Sequence, residues 1–341
     1  MGSELYNVIW YALVGILLTG YAILDGFDLG TGALHLLARS DRDRRVFLNA
    51  IGPFWDGNQV WLVTGGGALF AAFPHVYATA FSGFYVAFIL LLFMLIFRGV
   101  SIHVRSLRAG RAWRAFWDWA FSASSVIASL LIGVALGNVA WGVPIEAGFR
   151  YRGDLLQQIH PYSLLTGIMV VAVFMMHGAI YLVMKTEGDL NQRVRGWVRP
   201  CIIFFVLMYA VTTLATLLYL EHMAEPFRRQ PLLFLVPALN VLAIANIPRE
   251  MHLGREVRAF TSSAVAMALL LLLFGLGMFP ELIHSRPDVA NSLTAYNASS
   301  SPLTLKTMLV MAAIGMPLVI GYTIHIYRVF KGKVKLDSMS Y

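Results

Sequence analysis

The sequence predicts an all-α, polytopic membrane protein of about nine transmembrane helices, with its N-terminus outside and its C-terminus inside. Three observations carry this. Apolar residues make up 58% of 341 residues and charged ones 13%, with a mean hydropathy of +0.69; a soluble domain needs more polar surface than that. Several apolar stretches reach the roughly 18 residues needed to cross about 30 Å of hydrocarbon at about 1.5 Å per residue. These runs are continuous rather than alternating. That selects helices over a closed barrel, the two backbones that satisfy their own hydrogen bonds in lipid.

The spans read as 5–38, 51–73, 76–97, 117–140, 161–184, 199–220, 231–247, 259–282 and 303–330, within a single membrane domain covering 1–341. The charges orient them. Of the 26 Lys and Arg residues, all but Arg150, Arg152, Arg228, Arg229, Arg286 and Lys306 fall in loops or helix ends on one side. This is the positive-inside pattern, and it holds only for an odd number of crossings. The net charge of +8 is therefore the cytoplasmic face of a membrane protein, not a nucleic-acid stripe. Residues 1–7 carry Glu4 and no Lys or Arg, so the first run reads as a retained helix rather than a signal peptide.

The single cysteine, Cys201, excludes an internal disulfide and a thiolate metal cage. Among nine histidines, His177 alone lies well inside a span and reads as a packed residue. No His pair sits at the facing depth that a bis-His haem needs, so no haem is assigned to this chain.

Carboxylates inside a membrane are rare and costly, at about 2.5–3.5 kcal/mol each on insertion scales. Four such acids stand out: Asp25, Asp28, Asp56 and Asp118. The topology puts all four in the inner half of the membrane, together with Asn58, Gln59 and Arg98. Asp25, Asp28 and Gly32 follow helical spacing and share one face, as do Asp56 and Gln59. Gly26 and Gly30 form a step that lets another helix approach closely. Gly65, Gly66 and Gly67 suggest a thin, tightly packed middle of the second span. Two carboxylates one turn apart in low dielectric cannot both ionise cheaply. Three readings stay open on the residues alone: a proton path from the inner surface, a structural network in which the acids pair with Arg98 or Arg105, or a cation site.

At this point the motifs resemble a known family. Asp25-Gly26-Phe27-Asp28-Leu29-Gly30, then Trp55-Asp56-Gly57-Asn58-Gln59-Val60-Trp61-Leu62, then Phe97-Arg98 and Trp117-Asp118 are similar to the signatures of subunit II of cytochrome bd-type quinol oxidases. The resemblance covers essentially the whole chain and is densest over 20–120. It implies two four-helix bundles plus one peripheral helix, paired with a larger subunit I that holds two b-type haems and one d-type haem. It implies a complex, in a bacterial or archaeal cytoplasmic membrane, that oxidises quinol and reduces dioxygen to water with protons taken from the cytoplasm. A structural quinone in this subunit and a small single-helix accessory subunit are further expectations. The proton-path candidates are then Asp25, Asp28, Asp56, Gln59, Asp118 and His103, with Arg98, Asn58 and Trp55 as pairing residues. Where some relatives carry Glu this chain has Gln59, which cannot act as an acid. His103 stands where some carry an acid, and an imidazole relays protons near neutrality. The alternative from a different class is a secondary transporter that couples ions through the Asp cluster.

Overall fold

The computed structural model describes residues 2–336. Helices dominate it: α1 (Gly2–Leu34), α2 (Asp41–Ile51), α3 (Trp55–Ala72), α4 (Pro74–Gly83), α5 (Tyr85–Val104), α6 (Arg111–Trp141), α7 (Pro161–Lys185), α8 (Gly188–Tyr219), α9 (Glu221–Arg229), α10 (Leu235–His252), α11 (Glu256–Met278) and α12 (Pro302–Val329). Two short hairpins, β1 (Ile145–Glu146) with β2 (Arg150–Tyr151) and β3 (Glu281–Ile283) with β4 (Leu293–Thr294), lie at one end.

Among the described residues, eight helices are long and apolar enough to cross a membrane: α1, α5, α6, α7, α8, α10, α11 and α12. Helix α3 is less apolar, because its 18 residues include Asp56, Asn58, Gln59 and three consecutive glycines. It still runs end to end. Its start meets α1 through Asn58, and at its finish Ser300 donates to the Ala72 and Ala71 carbonyls at 2.8 and 2.6 Å. Buried Asn58, Gly65 and Ala72 recur every seven residues and form the narrow stripe that faces the protein.

The third span departs from expectation. The apolar run over 76–97 is not one helix: the chain turns at Phe84, so that α4 stays at the hairpin end and α5 makes the crossing, reaching Val104. Hydropathy cannot register this corner, because both sides of it are apolar. Local polar contacts fix it. Gln158 Nε2 donates to the Gly83 carbonyl at 2.7 Å, and Thr79 Oγ1 to the Phe149 carbonyl at 2.9 Å.

Helices α1, α3, α5 and α6 form one bundle, and α7, α8, α10 and α11 a second; α1 and α6 both pack on α7 and join them. Helix α12 leans on α1 and α3 and is mostly exposed, with Leu305 buried and a half-buried stripe that includes Tyr327. The joint between bundles depends on glycine. A Cβ on Gly30 would stand 1.8 Å from the Phe174 carbonyl oxygen, and one on Gly178 would stand 2.5 Å from the Gly30 carbonyl carbon. Only residues without a side chain let α1 and α7 approach this closely. The expected glycine-thinned middle of α3 is corrected: Gly65 packs on Leu18, but Gly66 and Gly67 face open space.

The basic loops gather at the end opposite the hairpins. There α2 is an amphipathic helix, started by the Ser40 side chain accepting from the Asp43 N–H, that buries Phe47, Leu48 and Ile51.

Candidate functional site

The four acids singled out in the sequence do not form one cluster. They divide into two buried networks and one exposed carboxylate.

The first network is built on α1. Asp25 and Asp28 are fully buried. Arg98 of α5, also fully buried, donates from Nη2 to Asp25 Oδ1 at 2.7 Å. Asn58 of α3 donates to Asp28 Oδ2 at 2.8 Å and to the Leu24 carbonyl at 3.0 Å, and it accepts from the Tyr327 hydroxyl of α12 at 3.0 Å. Four helices thus meet at one polar knot.

The second network lies nearer the basic end. Asp118 Oδ1 lies 2.6 Å from His35 Nε2 and accepts from Arg105 Nε at 2.5 Å; Oδ2 accepts from Arg44 Nη1 at 2.7 Å. Arg105 extends to Asp41, which also takes Arg114. Arg105 and His35 are buried, while Asp41 is exposed, so this network connects the interior to the aqueous surface.

Asp56 lies on the opposite side of α3 from Asn58 and is exposed. Beside it Trp55 packs edge-on against His103, ring centroids 5.6 Å apart, and His103 is exposed too. Gln59 is half-buried, and its Nε2 has no hydrogen-bond partner. The structure therefore brings Asp25, Asp28, Asn58 and Arg98 together, gives Asp118 its own partners, and leaves Asp56, Gln59 and His103 on an outward face of the first bundle. Gly57, Gly66 and Gly67 lie on the same helix with nothing within 4 Å, which makes this face smooth.

Sequence reading missed what links the two networks. Tyr21, Asp25, Asp28 and Thr31 lie on one side of α1, His35 follows in the 3-10 turn His35–Leu37 at its end, and all five are buried. Tyr21 and Asp28 each lie within hydrogen-bonding reach of Asp25, while Thr31 Oγ1 and His35 Nδ1 have no partner. The spacing of 21, 25, 28 and 35 was visible in the sequence, but nothing there marked Tyr21 or His35 as part of the acidic face.

His177 behaves as expected for a packed residue. Its Nδ1 lies 2.7 Å from Ser263 Oγ, its Nε2 lies 3.1 Å from the Ile23 carbonyl, and its ring stacks on Phe260. Cys201 is buried and free. Among the described residues no group of three or more His, Cys, Asp or Glu is placed to hold a metal ion.

The second bundle holds a cavity of about 410 Å³ between α7, α8, α10 and α11, with α9 across its end. Its lining is mainly apolar, interrupted by the hydroxyls of Tyr162, Thr166, Tyr209, Thr212, Thr213 and Thr216 and by Arg228 at the α9 end. The Tyr162 and Thr216 hydroxyls pair at 2.9 Å, while the buried Thr212 Oγ1 has no partner.

The fold and site thus define a multi-pass membrane protein with buried carboxylate–guanidinium networks. The chain belongs to the cytochrome bd terminal oxidase subunit II family, which it matches over residues 6–330. It is 37% identical to the cytochrome bd-I ubiquinol oxidase subunit 2 of Escherichia coli K12, over 98% of this chain and 97% of that protein. It is 34% identical to the cytochrome bd ubiquinol oxidase subunit 2 of Bacillus subtilis, over 98% of each. The bd oxidase structure from Geobacillus thermodenitrificans superposes with a TM-score of 0.79 at 16% identity, covering 95% of this chain and 98% of that one; at that identity it speaks for the fold. The chain is therefore a subunit of an oxidoreductase complex, works with a larger subunit I, and leaves the haems to that partner. Nothing in these comparisons supports the transporter alternative.

Proposed function

We propose that this chain is the non-haem subunit of a quinol-oxidising, dioxygen-reducing complex, and that α1 carries part of its cytoplasmic proton uptake. It sits as one membrane domain in the cytoplasmic (inner) membrane of a bacterium or archaeon, with its basic end toward the cytoplasm. The names of its relatives support quinol as the electron donor.

One observation carries the proton reading: a file of buried polar side chains along one face of α1 and the turn that follows it, from His35 through Thr31, Asp28 and Asp25 to Tyr21. Tyr21, Asp25 and Asp28 are in direct contact; buried polar atoms are nearly always hydrogen-bonded, so Thr31 Oγ1 and His35 Nδ1 call for bridging water between the two networks. From His35 to Tyr21 it spans 14 residues, about 21 Å of helix axis. It starts at the Asp118–His35–Arg105 network, which reaches the surface through Asp41. Arg98 pairs with Asp25 alone and Asp28 has the neutral Asn58 as its partner, so charge balance at the knot leaves room for one proton. Asp56, Gln59 and His103 lie on the smooth outward face of α3 and α5, where we place subunit I; Asp56 then hands protons to the partner. A small single-helix accessory subunit is a further expected partner.

The test is oxygen consumption by complexes carrying Asp28→Asn, Tyr21→Phe or Asp56→Asn, each checked by its reduced-minus-oxidised haem spectrum. Turnover should fall with haem bands intact. Wild-type turnover in Asp28→Asn and Asp56→Asn would remove the proton role and leave these residues as scaffold.

The cavity of the second bundle fits a structural quinone. Its apolar walls suit an isoprenoid tail, and the unpartnered Thr212 hydroxyl offers a donor to a quinone carbonyl. Quinone extracted per complex should drop in a Thr212→Leu variant, and equal quinone content would count against this site.

A further inference from the structure

Helix α9 is the one short helix that covers the cavity, and it is joined to its neighbours by breaks. Leu220 before it has φ −123° and ψ 69°, and Gln230 after it has φ −129° and ψ 89°, both outside helical geometry. Its Met223, Ala224 and Phe227 line the cavity, and Met223 packs with Ala140, Tyr162, Leu220 and Met278. Its other side, with His222, Glu225 and Arg229, borders a second depression shared with Phe279, Pro280 and Glu281.

The attachment of α9 on that side is a pair of imidazoles. The His222 ring lies flat on His284, with centroids 4.1 Å apart and planes within 5°. His284 is held in turn, its Nδ1 2.6 Å from Glu281 Oε2. His222 is tied to the Ala140 carbonyl, and its Nε2 is buried with no partner. A proton arriving there finds no acceptor and faces a second histidine at stacking distance. The surrounding charges are mixed. Arg286, whose guanidinium lies 4.4 Å over the Trp141 ring, opposes a further positive charge; Glu281 favours it. On α9 itself Glu221 and Glu225 stand against Arg229. From α7, His160 packs on the other partner of Arg286, Trp141, at 5.0 Å.

We propose that α9 is a lid over the intramembrane cavity, latched by the His222–His284 stack and released by protons from the outer aqueous phase. This takes the cavity as a ligand site, as proposed above, and gives it a gate. Burial, then His284, hold the His222 imidazole down at about 4, whereas on a released α9 in water it would titrate near the ordinary value of about 6.5. The released state therefore binds more protons between these values. Release gains about tenfold for each pH unit below about 6.5 and levels off near 4.

The test uses the whole oxidase in nanodiscs, with Cys201→Ala and a nitroxide label on Gln230→Cys, an exposed and uncharged position at the end of α9. Its electron paramagnetic resonance spectrum is read from pH 7.5 to 5. The ratio of mobile to immobile label should rise by about fivefold between pH 6.5 and 5.5. H222F keeps a flat ring but cannot titrate, and should stay immobile throughout. H284F removes the second imidazole of the stack and should shift release to lower pH, which covers the case that H222F does not assemble. Label mobility independent of pH in the wild type, or the same rise in H222F or H284F, would overturn the lid. Label mobility reports α9 alone, and quinone content is measured separately on the same sample, so the failure of either reading is seen independently of the other.

Discussion

Arg98 and Asp25 form an ion pair at 2.7 Å in which neither side chain has any solvent exposure. Removing one member of such a pair strands a charge in low dielectric, at a cost of about 3–5 kcal/mol, whereas replacing both with apolar residues is often close to neutral. Arg98→Met or Asp25→Leu alone should therefore strongly lower the midpoint of thermal unfolding of the complex. The double variant should recover much of the loss. A double-mutant cycle reads this directly, and simple additivity of the two losses would show that the pair does not act as a unit. If α1 also carries protons, the stable double variant should still consume oxygen slowly.

The hub at Asp118 makes the complementary case. It serves His35, Arg105 and Arg44 at once, with Arg105 buried and Arg44 about a quarter exposed. Asp118→Asn should cost about 1.5–3 kcal/mol, because Arg105 loses its charged bonds to Asp118 but keeps Asp41, and Asp118→Glu should restore part of it. Arg44→Met should cost under about 1 kcal/mol, because its pairing is screened by solvent. Thermal unfolding of the three complexes should follow that order. An Arg44→Met loss as large as that of Asp118→Asn would mean that the surface arm, not the buried one, holds the network.

Much of this was legible in the sequence, and the residues show why the rest was not. The crossings, the basic end and the buried acids follow from hydropathy and charge, which act locally along the chain. The pairing of Arg98 with Asp25 was within reach, since few buried partners exist for a membrane arginine. The corner at Phe84 was hidden because it turns between two apolar stretches and is fixed by Gln158, far away in sequence. The outward placement of Asp56 was also hidden. Depth follows from topology, but which way a residue faces depends on the neighbour that packs, and α3 turns Asn58 to α1. Tyr327 joins the knot from α12, almost 270 residues from Asn58, and no local pattern marks it.

The crossing of α1 and α7 should be sensitive to a single methyl. Gly30→Ala forces its Cβ into the Phe174 carbonyl and Gly178→Ala forces it into the Gly30 backbone, clashes with backbone that cannot move aside. Each should destabilise by about 1–3 kcal/mol or more and reduce recovery of the assembled complex. Gly66→Ala meets nothing in this chain. It should leave the fold of this subunit unchanged, and in a helix interior alanine is favoured over glycine by about 1 kcal/mol. If Gly66→Ala instead weakens co-purification of subunit I while this chain stays folded, that face is the interface. Unchanged recovery would place the partner elsewhere.

His160 gives α7 a start that depends on pH. Its ring accepts from the Ser163 N–H at 3.4 Å while the Ser163 hydroxyl accepts from the His160 N–H at 3.1 Å, a reciprocal cap. An imidazole accepts only when neutral. Burial, and then the Arg286 charge, hold the His160 pKa below its ordinary value of 6.5. The folded state thus binds fewer protons than the unfolded one just below about 6.5, so the contribution of the cap is full above that value and is lost as the pH falls. The ring is only partly buried, so the loss should stay under about 1 kcal/mol. His160→Asn supplies a cap that does not titrate and should match the wild type to within about 0.5 kcal/mol at pH 7.5. Between pH 7.5 and 5.5 its unfolding midpoint should fall less than that of the wild type, though not to zero, because His222 still titrates. Equal slopes in the two proteins would show that the α7 cap does not sense acid.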